Sequence, residues 1–486
     1  MPESLSPRRK VAFVIDTLGF QEILSIPIVS AAAKARGHTV ALFEFSRNPK
    51  KVCREIVSFA PDIVAYSISS NEAHRYLQIN DTIKKSGKFF SLFGGPHPTY
   101  YPQFIEKDGV DAICTGEGDI CFPEFLDRFG TDAMYEVSNF SFKTPDGGYR
   151  KNPVAHLVED QDSLPFPDRS QLYEKSYFMA RNPIKMFMAA RGCPYDCSYC
   201  FVHAFNSMYK GKGAIIRTKS VEYLIAEIKD VARRYPLKCI RFADDIFALE
   251  RKWLEEFAEE FPRKIGLPFT CFLRPNVIKD EYAKLLMKAG CRSAYIAIEC
   301  ANEDIRRRIA NRPISNDQII SACAHLKRHG IRVGTFNMVG LPDETERDIL
   351  DTIDLNRRIG ADYAEASIFQ PYPGTSITEF CRTNGYLEDD AEQCEGEYAK
   401  SVLKGTPAFK QKVLVLHRLF TMMVDHPQIR RLVGLLSKAS WMNGILTIAS
   451  RFYYGINMHR RIYGSPIPWW LRLHGAWRFF LSKSRV

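Results

Sequence analysis

Short apolar runs alternate with helix-spaced apolar positions along most of this chain. In the first 130 residues Val11–Ile15, Thr39–Phe43, Ile63–Ile68, Phe89–Phe93 and Ala112–Cys114 read as buried strands. Between them Ile23–Arg36 and His74–Lys85 carry apolar side chains at helical spacing. Short buried strands separated by helices predict an α/β fold with a doubly wound, Rossmann-like parallel sheet over 8–135. Ligands of such sheets sit beyond the C-terminal strand ends, at the topological switch point. Two glycine-rich sequences fall at strand ends: Gly94-Gly95-Pro96-His97-Pro98 and Thr115-Gly116-Glu117-Gly118-Asp119. Glycine lets backbone approach a ligand closely, although the same residues also make plain strand-to-helix turns.

Residues 136–182 read as a linker, with Asp162-Ser163-Leu164-Pro165-Phe166-Pro167-Asp168 rich in turn formers. A second strand–helix series then runs over 183–385. Its predicted strands are Met186–Ala190, Cys239–Phe242, Phe269–Leu273, Ser293–Ile298, Arg332–Met338 and Tyr363–Phe369. Predicted helices between them include Val221–Arg234, Lys252–Phe261, Asp280–Lys288, Asp317–His329 and Glu344–Arg358. Six such units are too few for a closed eight-stranded barrel, so a partial TIM-type barrel is expected.

The last stretch, 386–486, reads as mostly helical, with Val413–Val424 and Ile429–Leu446 at helical spacing. It changes the charge picture. The net charge is +11, yet residues 401–486 hold 14 Lys/Arg against one acid, Asp425. Four of the five tryptophans lie there: Trp441, Trp469, Trp470 and Trp477. The plainest reading is a helical cap over the barrel mouth. Basic residues among Trp and Phe also suit an anionic bilayer surface, which predicts a peripheral contact at the inner membrane face. Nucleic acid is the least favoured partner.

Composition is ordinary for a globular protein, with 45% apolar and 25% charged residues. No signal-peptide core, long apolar span or short disulfide framework is evident, so a reducing cytoplasm is expected. Cys239, Cys271, Cys291 and Cys300 lie in or beside strands and read as small buried apolar residues.

The chemistry centres on Cys193, Cys197 and Cys200, spaced C-x3-C-x2-C. They follow directly on a predicted strand, where parallel α/β folds place their sites. A four-iron cluster normally takes four thiolates. Three would leave one iron open to a non-protein ligand. Zinc sites want four ligands, and His203 is a candidate fourth, so spacing alone leaves zinc open.

The triplet, with Tyr199 before its last cysteine, resembles the signature of the radical S-adenosylmethionine (SAM) family. The resemblance implies that Cys193, Cys197 and Cys200 hold a 4Fe–4S cluster whose open iron is chelated by SAM, which is cleaved reductively to a 5′-deoxyadenosyl radical. A Rossmann-like domain with these glycine loops, ahead of such a barrel, is similar to the cobalamin-binding class of that family. By that resemblance Ser67, Ser69, Gly94, Gly95, Gly116 and Glu117 line the corrin. One departure is that no Asp-x-His-x-x-Gly run offers a histidine ligand to cobalt; His74 and His97 are in other contexts.

Later segments are similar to the same class, in order: Asp244-Asp245-Ile246-Phe247, Arg274-Pro275-Asn276, Ile298-Glu299-Cys300, Gly340-Leu341-Pro342 and Pro371-Tyr372-Pro373-Gly374-Thr375. The resemblance implies that Tyr199, Asp244, Asp245, Arg274, Glu299 and Gly340 position SAM. Plainer readings stand beside these. Asp favours helix N-caps, Arg274 can bridge to Asp244 or Asp245, and Gly-Leu-Pro makes good turns. The implied activity is methylation of an unactivated carbon of a small biosynthetic intermediate, hydrophobic or lipid-like to judge from the tail. A reducing protein such as flavodoxin or ferredoxin would supply electrons. The alternatives are cyclisation, rearrangement or oxidation on the same architecture, and a corrin-sensing binding protein with a structural cluster.

Overall fold

The computed structural model describes residues 7–19, 22–144, 147–387 and 401–463. These divide into two compact units, residues 7–181 with Ala204–Arg217, and Asn182–His203 with residues 218–463. The segment Ala204–Arg217, which the sequence reading left in the barrel, thus belongs to the first unit.

The first unit is built on β1 (Lys10–Ile15), β2 (Thr39–Glu44), β3 (Ile63–Ser67), β4 (Phe90–Gly94) and β5 (Ala112–Cys114). They pair in parallel in the order β2-β1-β3-β4-β5. Every β1 residue after Lys10 is buried. That is why the sequence shows continuous apolar runs instead of alternation, as expected of a sheet covered on both faces. Chain order reverses between β1 and β3, which defines the switch point. Two further strands, β6 (Phe140–Lys143) and β7 (Tyr149–Lys151), extend the sheet as an antiparallel hairpin. They lie within the span read from sequence as linker. β7 is exposed throughout, so no apolar pattern announced it. β6 is anchored by Phe140, stacked 4.6 Å from Phe125.

In the second unit β8 (Ile184–Phe187) is followed by the two-residue strand β9 (Ala190–Arg191); β10 (Arg217–Thr218) marks the return of the chain. Then come β11 (Cys239–Phe242), β12 (Phe269–Leu273), β13 (Cys291–Glu299), β14 (Arg332–Val339) and β15 (Tyr363–Ile368). β8, β11, β12, β13, β14 and β15 form, in that order, an open parallel sheet. Helices follow each of them in partial-barrel fashion. The core between sheet and helices is aromatic on one side, with Phe242, Phe247, Phe257 and Phe269 in mutual ring contact. Cys239, Cys271, Cys291 and Cys300 are buried within it or beside it.

Two boundaries differ from the sequence pattern for a local reason. β8 stops at Phe187 because the next N–H groups, of Ala189 and Ala190, donate to the Asp244 carboxylate and not to a ladder. The helix after β14 starts at Glu346, not Glu344, because Glu344 turns back to accept from the N–H groups of Gly340 and Leu341. Thr345 and Asp348 then form a capping box.

In residues 407–463 the tail packs mainly along the side of the barrel, and Val413 reaches Gly340 at the C-terminal end of β14. Helix Pro407–Asp425 lies along the edge strand β15. There His417 Nε2 pairs with the Ala366 carbonyl (3.0 Å) and Thr421 Oγ1 donates to the Ala364 carbonyl (2.6 Å). The Tyr454 hydroxyl accepts from Ala366 N–H (3.1 Å). An open edge with unpaired backbone groups is a pairing hazard, and these side chains remove it. Farther on, the Ile462 carbonyl accepts from Ser293 Oγ and the Arg461 carbonyl from Arg332 Nη1, near the N-terminal ends of β13 and β14. The tail thus closes the side and the base. Trp469, Trp470 and Trp477 lie outside the described residues. Among the described residues no single helix is long and apolar enough to cross a membrane.

Candidate active site

The cysteine loop starts where β8 ends and is held by three other strand ends. Asp244, just past β11, is 1% exposed. Its carboxylate accepts from Ala189 N–H (3.0 Å) and Ala190 N–H (2.5 Å). Burial pushes its carboxyl up to about 7 despite those donors. Of the two acids read from sequence, Asp244 therefore holds the backbone that leads from β8 toward the loop. Asp245 accepts from the Gly192 backbone, and burial raises its carboxyl too.

Arg274, at the end of β12, does not bridge to either aspartate. Its Nη1 lies 3.1 Å from Cys197 Sγ, and its guanidinium stands 3.8 Å over the Tyr195 ring. Asn276 Nδ2 donates to the Tyr195 hydroxyl (2.7 Å), completing that clamp. Glu299 ends β13 at a register irregularity with φ 70°, a left-handed conformation that costs a non-glycine residue about 1 kcal/mol or more. The bulge re-aims its side chain, which accepts from the Tyr199 hydroxyl at 2.6 Å. Burial raises the Glu299 carboxyl, while Arg312 and Tyr199 hold it down.

Arg312 was not visible as a site residue in the sequence. It is 4% exposed, directs Nη1 at Cys197 Sγ (3.7 Å) and donates from Nη2 to the Ala297 carbonyl (2.7 Å). The surrounding segment grips the cysteine loop through its backbone. Ser198 N–H donates to the Ala310 carbonyl (3.0 Å), Ser198 Oγ to the Ile309 carbonyl, and Asn311 Nδ2 to the Asp196 carbonyl (2.7 Å). The only signal in the sequence was a buried-looking Ile-Ala followed by Asn-Arg-Pro, which has no motif value. Gly340 has φ 77° at the end of β14 and lies beside Glu344, whose carboxyl burial pushes up to about 8.

The donor set suits a thiolate-ligated cluster. Three cysteines outside any disulfide share one loop, and two guanidinium groups at Cys197 would offset the anionic charge of thiolates and cluster. Burial raises the Cys193 thiol, and Cys200 is pushed up to about 12, so iron would displace their protons. His203 is committed elsewhere. Its Nδ1 pairs with the Cys200 carbonyl (2.8 Å) and its Nε2 accepts from Ser376 N–H (3.2 Å). That weighs against a four-ligand zinc site. Among the described residues no three His, Cys, Asp or Glu side chains converge on a single metal ion. A cubane takes its thiolates on separate irons and needs them farther apart.

In the first unit Ser67, Ser69, Gly94, Gly95, Gly116 and Glu117 all fall at or just past the C-terminal ends of β3, β4 and β5. They are used unequally by the fold. Ser67 Oγ meets Ser25 Oγ at 3.2 Å, and Ser69 Oγ donates to Asn71 and Glu72. A Cβ on Gly116 would overlap the Tyr209 hydroxyl. Glu117 is bound bidentately by Arg217 at 2.7 and 2.8 Å, and its N–H donates to Tyr209. Neither Tyr209 nor Arg217 was singled out from sequence, because they stand about a hundred residues downstream. A Cβ on Gly94 would meet only ordinary contacts, 3.8 Å and beyond. Its glycine has no internal reason, which suits a backbone surface kept open for a large ligand such as a corrin. His97 packs on Tyr101 and Phe104 with Nδ1 on Ser70 Oγ, and burial lowers it to about 4.

Comparison with known proteins agrees with this layout. Residues 188–355 match the Radical SAM superfamily and residues 12–126 match the B12 binding domain. An uncharacterized methyltransferase of Pyrococcus horikoshii is 29% identical, over 69% of this chain and 72% of its own length. The anaerobic magnesium-protoporphyrin IX monomethyl ester cyclase of Rubrivivax gelatinosus is 27% identical, over 71% of this chain and 63% of its own. Among solved structures, the radical SAM methyltransferase TsrM of Kitasatospora setae superposes with TM-score 0.63 at 16% identity, covering 78% of this chain and 77% of that one. The cofactors that go with the two matched domains are a 4Fe–4S cluster, SAM and cobalamin. The strand ends that carry the cysteine loop and the glycine loops are thus those of two recognised domains in fixed order, and the chain is a radical SAM enzyme with a B12 binding domain ahead of its radical SAM domain.

Proposed function

We propose that this enzyme methylates an unactivated carbon of a small, hydrophobic biosynthetic intermediate. The observation that carries the reading is the cysteine loop, clamped by Arg274 and Arg312 at Cys197, in a chain that also has a B12 binding domain. When bound, the cluster and SAM supply a carbon-centred radical, and the corrin supplies a transferable methyl group.

The chain's own residues hold these groups. Cys193, Cys197 and Cys200 would ligate the cluster, and the Asp244 carboxylate keeps their loop in register with β8. Arg274 and Arg312 offset charge at Cys197. Tyr199, Asp245, Arg274, Glu299 and Gly340 are the SAM-positioning set, with the Tyr199–Glu299 bond as its fixed point. Asp244, the remaining member of that set, also holds the backbone that leads into the loop. Ser67, Ser69, Gly94 and Gly95 are the corrin-facing set, Gly95 with its missing Cβ also required by the Ile68 backbone, whereas Gly116 and Glu117 act through Tyr209 and Arg217. Electrons come from a small reducing protein of flavodoxin or ferredoxin type.

The test needs no substrate. Anaerobically reconstituted protein is given cobalamin, reductant and SAM labelled in its methyl group. Iron, sulfide, corrin and 5′-deoxyadenosine are measured on the same sample. Label on the corrin together with 5′-deoxyadenosine supports the proposal. The similarity to the magnesium-protoporphyrin ester cyclase favours a second reading, radical ring closure without methyl transfer. 5′-Deoxyadenosine with no label on the corrin would select it.

A further inference from the structure

The tail presents an apolar stripe to solvent on one face of one helix. Trp441 is 77% exposed, and Ile445, Ile448, Phe452 and Ile456 are each between 53% and 58% exposed. They stand in and just before helix Asn443–Asn457. Their spacings of 4, 3, 4 and 4 residues put them on a single face. The opposite face carries Leu446, buried in the core with helix Pro407–Asp425, and Tyr454, bonded to Ala366. The stripe is about 20 Å long at 1.5 Å per residue. Leu432 and Leu435, 48% and 68% exposed, lie on the preceding segment, across the bend that separates it from this helix. Scattered exposed apolar residues need no explanation, but a contiguous row does.

Charge says what covers it. Arg430, Arg431, Lys438 and Arg460 are exposed in the segments that flank the stripe along the chain, Arg430 leaning on Asp354 at 3.4 Å. No acid follows Asp425, and Asp425 itself is taken by Tyr453 and Arg461. A second copy would bring the same basic rim against this one. The terminal segment 464–486 is basic as well, with no acid. An anionic surface is the complementary one. The segments Pro427–Lys438 and Ser440–Tyr463 are together long and apolar enough for a bent span, with 112° between them, but the buried Leu446 and the Tyr454–Ala366 bond tie one face of the second segment to the barrel and leave only the other for a surface. Amphipathic helices with Trp and Phe on one face and Arg/Lys beside it bind membranes in this way.

We infer that this face, Trp441 through Ile456 with its basic rim, seats the enzyme on an anionic lipid surface. The inference stands apart from the methyl-transfer reading, because it concerns a surface of the second unit away from the cysteine loop's residues.

The test is co-sedimentation of the full-length protein with vesicles. One set is phosphatidylcholine alone and the other contains phosphatidylglycerol as well, each at low and high salt. The expected result is binding to the anionic vesicles that salt weakens. Ile445→Glu with Phe452→Glu replaces two exposed side chains and leaves the core untouched. It should weaken partitioning by about tenfold or more. Arg431→Gln with Lys438→Gln should weaken it less and flatten the salt dependence. Equal binding of wild type and the Glu variant overturns the proposal, as does wild type that stays in the supernatant with anionic vesicles. So does a dimer in sedimentation that the Glu variant dissolves without any vesicle binding. 5′-Deoxyadenosine formation in detergent-free solution should be unchanged in both variants, which separates loss of docking from loss of fold.

Discussion

Two loops at strand ends carry the chain's most telling motifs, and the fold treats them in opposite ways. The cysteine loop is clamped from outside by Asp244, Arg274, Arg312 and the backbone of 309–311, leaving three thiols as its contribution. The Gly116–Glu117 loop is consumed by the fold. Its glycine is required by the Tyr209 hydroxyl, and its carboxylate is held by Arg217. A residue can fit a motif for two reasons: it is presented to a ligand, or it is the socket for another part of the same chain.

The sharpest break in this comparison is Cys197→Ala. It should abolish cluster assembly, read as loss of iron and sulfide after anaerobic reconstitution, and no 5′-deoxyadenosine should form. The stability of the first unit should not change. The counterpart is Arg217→Gln, which strands a largely buried carboxylate. It should cost about 3 kcal/mol in urea unfolding with iron content unchanged. Adding Glu117→Gln should recover most of the loss, since the uncompensated charge is then gone. Iron loss in Arg217→Gln would show that the two loops are not independent.

A smaller effect is expected from Arg312→Gln. An anionic cluster that loses a neighbouring cation is harder to reduce, so its midpoint potential should fall by roughly 60 mV, a tenfold change in a one-electron equilibrium. A reductive titration followed by electron paramagnetic resonance reads it. An unchanged potential would make Arg312 a purely structural clamp. The smallest effect belongs to Glu344. Its carboxyl is raised by burial to about 8, from an ordinary 4.5. The folded state therefore holds that proton more tightly than the unfolded state. The stability this contributes is fully present below about pH 4.5 and is lost as pH rises through about 8. Glu344→Gln keeps an acceptor for Gly340 and Leu341 and removes the titration. It should stabilise the protein by of order 1 kcal/mol at pH 8 and flatten the pH dependence of unfolding between pH 5 and 8.

Much of the architecture was legible because parallel strands buried on both faces write themselves as unbroken apolar runs. β1 to β5 and the six barrel strands were placed to within a few residues on that signal. β7 was not, since an exposed hairpin strand is set by backbone pairing and carries no apolar signature. The helical tail was visible as helices, but its place along β15 was not. That place depends on His417, Thr421 and Tyr454 meeting particular edge carbonyls and N–H groups.

The linear order of residues was enough to locate the thiol triplet, the aspartate pair and the glutamate at the end of β13, because local spacing and strand-end position are properties of contiguous chain. Folding alone could decide which backbone groups each aspartate holds, that Arg274 serves Cys197 and not an acid, and that Arg312, Tyr209 and Arg217 belong beside motifs far from them in sequence. Those outcomes turn on burial. A charge or hydroxyl taken out of water must find a partner, and the nearest partner in space is set by the packed strands and not by the distance along the chain.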